Sequence, residues 1–202
     1  MEDVKFSIFH FQFSILNRGV SQVNITEKSF TEEINARNIN EEDISKILVD
    51  TLIEKGLKIS SAESCTGGLV SKKITDISGS SAVFDCGICS YSNGIKEKLL
   101  GVEKSVLDTL GAVSAETAVQ MARGVKAVSG SDIAVSTTGI AGPSGGTEEK
   151  PVGLVYIGVA CRNGSCFAVR ALLNESGNND RSRIRELAAD CALYLAYKEI
   201  TE

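Results

Sequence analysis

The sequence predicts an α/β fold: a three-layer α/β/α domain with a mixed, mainly parallel sheet and a late antiparallel hairpin. Three observations carry this expectation. From residue 40 onward, short apolar runs alternate with segments of helical period, the order that builds parallel strands joined by crossover helices. Near the end, two apolar runs flank Arg162-Asn163-Gly164-Ser165, and Asn-Gly is a favoured hairpin turn. Finally, the loops at Ser64, Tyr91 and Gly139 each follow the end of an expected strand, where open α/β sheets bind ligands.

Taken in order, residues 1–40 stand apart as an N-terminal extension with no assigned role. Phe6, Phe9, Phe11, Phe13 and Ile15 partly alternate with polar residues, as in a half-buried strand. Residues 21–40 are polar, and a docked arm, a loose tail and a start site assigned too early all remain open. Residues 41–202 form the regular domain. Asn40 reads as an N-cap with acids after it, and Ile44, Ile47, Leu48, Leu52 and Ile53 recur at helical spacing up to Gly56. A strand is expected over 58–62, a helix over 67–76 and a turn over 78–81. The run over 82–90 is so continuous in apolar and small residues that burial on both faces is expected. Tyr91-Ser92-Asn93-Gly94 breaks it, and a helix carrying Lys96, Leu99 and Leu100 follows. Ser105 caps a short turn to Leu110. Ser114 opens a helix to 129 whose apolar positions are Ala118, Val119, Met121, Ala122 and Val125. Then come a strand over 133–138, a glycine-rich loop over 139–146, paired strands over 152–160 and 166–173, and a last helix over 180–199.

Composition narrows the function classes. A hydrophobic content of 43% is enough for a real core. A net charge of −5 argues against a nucleic-acid surface, and no run reaches the length of a membrane span. The acidic start, Met1-Glu2-Asp3, does not read as a secretory signal, so a cytoplasmic location is expected. In such a compartment the six cysteines are expected to be free. Cys86-Gly87-Ile88-Cys89 has a zinc-knuckle form, but Cys161 and Cys166 are its only candidate partners and both pairs lie in strand text, so no metal is expected. The single histidine, His10, lies outside the regular domain. A Ser-His-Asp triad or a Cys-His pair is therefore not expected, and any base must be lysine, carboxylate, tyrosine or water.

Ser60-Ser61-Ala62-Glu63-Ser64-Cys65-Thr66-Gly67-Gly68 lies between an expected strand and an expected helix. Small hydroxyl residues and a glycine pair at a helix start can present a nucleophile or hold an anion, because the first N–H groups of a helix lack partners. A plain connecting loop has the same look.

Read together, the motifs resemble the CinA C-terminal domain family, the nicotinamide-nucleotide amidases. The matching pieces are Ala62 to Gly68, Gly79-Ser80-Ser81, Tyr91-Ser92-Asn93 with Lys96, and Gly111-Ala112-Val113-Ser114. They continue with Thr138-Gly139-Ile140-Ala141-Gly142-Pro143, Gly145-Gly146, Lys150-Pro151-Val152-Gly153, and Asp180-Arg181 with Arg185. Together they cover residues 42–200. The resemblance implies hydrolysis of the amide of nicotinamide mononucleotide to nicotinate mononucleotide and ammonia, by a serine–lysine mechanism without metal or other cofactor. It also implies a homodimer or larger homo-oligomer whose partner molecule is a small nucleotide, with no nucleic acid or membrane involved. Many members carry an additional N-terminal domain related to molybdopterin-binding proteins, and 202 residues do not accommodate it. Cys86 where glycine is more usual, Gly94, and Asn179 before Asp180-Arg181 depart from the pattern without replacing a proposed catalytic residue.

The resemblance makes Ser64 the nucleophile, Lys96 its base and Thr138 a residue that orients the amide or the lysine. Lysine must be neutral to act, and burial or a nearby positive charge, the substrate pyridinium included, lowers its pKa from about 10.4. Cys65 is the rival nucleophile, since a helix N-terminus lowers thiol pKa. Thr66, Gly67, Gly139, Gly142 and Gly145 are expected to contact substrate, with Tyr91 against the pyridinium. Arg181 in a first helical turn opposes the helix dipole and so calls for an anion: substrate phosphate, a neighbouring subunit, Asp180 or Glu186.

Overall fold

A computed structural model describes residues 24–175 and 177–202. The strand expected from Phe6 to Ile15 lies outside the described residues. Among the described residues, one six-stranded sheet is built from β1 (Asn24–Thr26), β2 (Ile59–Glu63), β3 (Phe84–Cys89), β4 (Ile133–Gly139), β5 (Leu154–Ala160) and β6 (Cys166–Leu172). Their order across the sheet is β1-β6-β5-β4-β2-β3. β2 pairs in parallel with β3 and β4, β1 pairs in parallel with β6, and β5 is antiparallel to both its neighbours. The three-layer α/β expectation holds, hairpin included.

Among the described residues, seven α-helices cover the two faces: α1 (Glu27–Ala36), α2 (Ile44–Lys55), α3 (Leu69–Thr75), α4 (Asn93–Leu100), α5 (Lys104–Thr109), α6 (Ala115–Ser129) and α7 (Arg181–Thr201). α7 packs against the sheet, α2 and α3 on one side, and α6 packs against the sheet and α4 on the other. The chain leaves β2 by α3 to reach β3, then returns by α4, α5 and α6 to reach β4 on the other side of β2. The connections leaving the neighbouring strands β2 and β4 therefore run in opposite directions across the sheet, to β3 and to β5, and in α/β sheets a crevice opens at such a switch point. Ser64 follows β2 directly.

Close approach fixes α4 in place. A Cβ on Gly124 of α6 would lie 2.0 Å from the main-chain oxygen of Leu100, so only glycine lets α6 pass the end of the helix that carries Lys96.

Three local expectations need correction. Ser105 does not cap its turn: it lies inside α5, whose N-cap position is held by Glu103. Asn40 does not cap α2: its amide donates to the Asp43 carboxylate at 2.9 Å, and a 3-10 turn over Glu41–Asp43 precedes the helix. β3 is not buried on both faces. It is an edge strand whose residues alternate between half-buried and exposed, because β2 lies on one side of it only. Its small residues serve a different purpose: a Cβ at Gly87 would come within 2.3 Å of the Ser71 hydroxyl on α3.

Residues 24–36 are docked on the domain. Thr26 caps α1 in a capping box with Ser29, and Phe30 and Ile34 are buried one turn apart. Tyr194 of α7 donates to Glu33 at 2.9 Å, and its ring meets Phe30 edge-on. Among the described residues, no helix is long and apolar enough to cross a membrane.

Candidate active site

The peptide after β2 is held from both sides. Ser64 donates its N–H to Thr137 O at 2.9 Å, extending the β2–β4 ladder by one residue. Side chains alternate along a strand, so Glu63 and Ser64 face opposite sides of the sheet.

Glu63 faces α3 and is buried, with 1% exposure. It accepts the N–H groups of Gly68, Val70 and Ser71 and the hydroxyls of Thr66 and Ser71, at 2.7–3.0 Å. The N–H groups that the sequence offered to a ligand anion are thereby taken by an internal carboxylate. Among the described residues, the main-chain N–H groups of Cys65, Thr66 and Gly67 have no main-chain acceptor, and Thr66 and Gly67 lie at the start of the α3 turn beside Ser64. Glu63→Gln would place an amide NH2 against N–H donors and leave several without acceptors. It is expected to destabilise the fold by about 3 kcal/mol, measured by urea unfolding.

Ser64 is partly exposed, whereas Lys96 on α4 is fully buried. Ser92 caps α4 by accepting from Ile95 N, which orients the helix. Lys96 Nζ then donates to Ser64 Oγ at 2.9 Å, Ser90 O at 2.6 Å and Tyr91 O at 3.4 Å. Burial lowers its pKa from the ordinary lysine value. The neutral amine has two hydrogens, which the two carbonyl oxygens can take, leaving its lone pair for the Ser64 hydroxyl.

Cys65 is a different case. It is buried, and desolvation, reinforced by the Glu63 charge, pushes its thiol up to about 12. The expected lowering by the helix N-terminus is overturned because Glu63 already occupies that terminus. All six cysteines are free, and no group of three or more His, Cys, Asp or Glu suited to a metal occurs among the described residues.

The remaining candidates divide. Thr138 donates its hydroxyl to Ala112 O at 2.6 Å, so it ties β4 to the loop before α6 and bonds neither Ser64 nor Lys96. The Thr66 side chain is buried between Glu63 and Thr137, each at 2.7 Å, and supports the loop. Gly67 is exposed, and Tyr91 is 70% exposed beside the dyad. Arg181 Nη1 donates to Gly142 O at 2.7 Å, and Arg185, one turn on, donates to Thr66 O at 2.6 Å. The partner Arg181 has in the structure is therefore a carbonyl, and most donors of each guanidinium remain uncommitted by these bonds. Gly142 has φ +75° and a Cβ there would meet Val152 at 2.5 Å, which gives that glycine a packing reason. Gly139 ends β4 and Gly145 is exposed in the loop beyond.

Sequence reasoning missed Glu63, Thr137 and Ser90. An acid directly before a hydroxyl-rich helix start was a legible signal for Glu63. Thr137 and Ser90 act through register, which no motif displays.

The CinA C-terminal domain model matches residues 41–200. A putative competence-damage inducible protein of Caldanaerobacter subterraneus is 51% identical over 149 residues, covering 74% of this chain and 35% of that protein. A CinA-like protein of Kosmotoga olearia is 51% identical over 155 residues, covering 77% and 36%. The chain thus spans about a third of the length of these curated relatives. Among solved structures, the competence/damage inducible protein CihA of Agrobacterium tumefaciens aligns with a TM-score of 0.73 at 42% identity, covering 77% of this chain and 92% of that one. A CinA-superfamily protein of Enterobacter cloacae aligns with a TM-score of 0.74 at 28% identity, covering 81% and 94%.

Proposed function

Since the chain belongs to the CinA C-terminal domain family, we propose that it is an amidohydrolase that converts nicotinamide mononucleotide to nicotinate mononucleotide and ammonia. The observation that supports this most is the fully buried Lys96 amine, 2.9 Å from the Ser64 hydroxyl just beyond the carboxyl end of β2. A serine hydroxyl needs a base, and a lysine whose pKa is lowered by burial supplies one.

In this reading Ser64 Oγ attacks the carboxamide carbon as its proton passes to Lys96. Negative charge develops on the carbonyl oxygen, and the free N–H groups of Thr66 and Gly67 are the donors for it. The C–N bond breaks as the proton held by Lys96 passes to the nitrogen, and ammonia leaves; water then loses a proton to the neutral Lys96 and attacks the ester, and that proton returns to Ser64 Oγ as the acid is released. The exposed Tyr91 ring lies against the pyridinium, while Arg181 with Gly139, Gly142 and Gly145 receives the phosphate side. Thr138 contributes by holding the Ala112 carbonyl and the loop before α6. The reading carries with it a homodimer or larger homo-oligomer acting in the cytoplasm.

The test is ammonia release by the purified chain with nicotinamide mononucleotide as substrate. One equivalent of ammonia per nicotinate mononucleotide is the expected result. Saturable binding without ammonia would replace this reading with that of a nucleotide-binding protein on the same scaffold.

A further inference from the structure

Ser90 is fully buried, at 0% exposure, and its side-chain oxygen has no hydrogen-bond partner among the described residues. A buried hydroxyl left unpaired costs about 1–3 kcal/mol. Alanine would avoid that cost if packing were the only demand.

Register gives the hydroxyl its position. In the β2–β3 ladder Ala62 pairs with Ile88 and Glu63 with Cys89, and Ser90 N continues it by donating to Glu63 O at 2.8 Å. Glu63 faces α3, and so does Cys89, whose sulfur would lie 3.5 Å from a Cβ at Gly68. Ser64 and Ser90 each come one residue later and face the other way, toward the helix that carries Lys96. Neighbouring strands lie about 4.8 Å apart, which makes the two serines side-by-side neighbours. The Ser90 carbonyl oxygen is itself 2.6 Å from Lys96 Nζ. Ser90 therefore adjoins both members of the dyad, Lys96 through its carbonyl oxygen and Ser64 through register, while its own hydroxyl bonds neither of them.

We propose that Ser90 is a third catalytic residue, a hydroxyl that relays the proton from Lys96 to the departing amide nitrogen. The inference rests on the amidohydrolase reading. After attack, Lys96 holds the proton taken from Ser64. As the C–N bond breaks, Ser90 Oγ gives its own proton to the nitrogen and takes one from Lys96. Ammonia leaves, Ser90 is again a neutral hydroxyl, and Lys96 is again a neutral amine.

The experiment compares two substrates on the full chain. Nicotinamide mononucleotide needs a proton on its leaving nitrogen, whereas p-nitrophenyl acetate releases a stable phenolate. Ser90→Ala is expected to lower kcat for ammonia release about 100-fold more than it lowers acylation of Ser64 by the ester. Ser90→Thr, which keeps a hydroxyl, is expected to stay within about tenfold of the parent. The melting temperature of Ser90→Ala is not expected to fall, since no hydrogen bond is lost. Amide and ester rates that fall together in Ser90→Ala, or a Ser90→Thr as impaired as the alanine variant, would overturn the relay. Parent activity on the amide that survives Ser90→Ala overturns this inference alone. A parent protein that is acylated by the ester yet releases no ammonia overturns the amidohydrolase reading and the relay with it.

Discussion

Ammonia release from nicotinamide mononucleotide is expected to fall by about 10⁴-fold or more in Ser64→Ala and to stay within a few-fold of the parent in Cys65→Ala, as losses of a nucleophile and of a bystander do. The adjacent positions differ in the two properties a nucleophile needs. Ser64 is partly exposed and receives the Lys96 amine at 2.9 Å. Cys65 is buried and its thiol is pushed up to about 12, so almost none of it is thiolate near neutral pH. Burial also sets the cost of removing it. Cys65→Ala takes a sulfur out of the core and is expected to lower stability by about 1 kcal/mol, which thermal unfolding separates from any effect on turnover. Mass spectrometry of protein quenched during turnover gives the direct measurement. An acyl adduct on the peptide containing Ser64 and Cys65 that persists in Cys65→Ala and disappears in Ser64→Ala is the expected pattern. The reverse pattern would assign the chemistry to sulfur.

The fold was legible because its signals are local and mutually consistent. Alternation of strand and helix text, the Asn163-Gly164 turn and the Gly56 and Gly130 helix ends all correspond to observed elements. What stayed hidden depends on pairing between distant segments. The apolar text of β3 reads as a central strand, and only the strand order puts it at an edge. Residues 24–36 read as polar text, since the information lies in two residues, Phe30 and Ile34, and in a carboxylate that meets Tyr194. The site divides the same way. Ser64 and Lys96 could be named as residues, and their 2.9 Å contact follows from α4 lying beneath α6 at Gly124. Thr138 and the helix N-terminus were assigned to chemistry by type, yet the hydroxyl of the first goes to Ala112 and the N–H groups of the second to Glu63. A polar residue in a functional loop has as much need of scaffold partners as of substrate, and sequence does not say which need is met.

The activity is expected to rise with pH along a limb set by Lys96, and Lys96→Arg is expected to be as inactive as Lys96→Ala, each losing about 10³-fold or more. The sign follows from the role. A base accepts a proton only when neutral, so the active fraction grows as pH climbs through the lysine pKa. Burial lowers that pKa, which places the limb below the ordinary lysine value of 10.5. Arginine keeps the positive charge and the donors for Ser90 O and Tyr91 O but cannot lose its proton in this range. Retained activity in Lys96→Arg would therefore mean that the cation holds the site by charge and some other group takes the proton. Substrate adds a second, independent shift. The pyridinium of nicotinamide mononucleotide is positive, and a like charge near an amine lowers its pKa further. The limb in kcat, which reports the bound state, is therefore expected at lower pH than the limb in kcat/KM, which reports the free protein. Two limbs at the same pH would show that the pyridinium does not act on Lys96, and the neutral amine would then owe its state to burial alone. The depressed pKa also affects folding. The native state binds the Lys96 proton more weakly than the unfolded chain does, so the stability from this group is present above pH 10.5 and is lost as pH falls through the folded pKa. Near neutral pH the lysine weakens the fold for the same reason that it can act as a base.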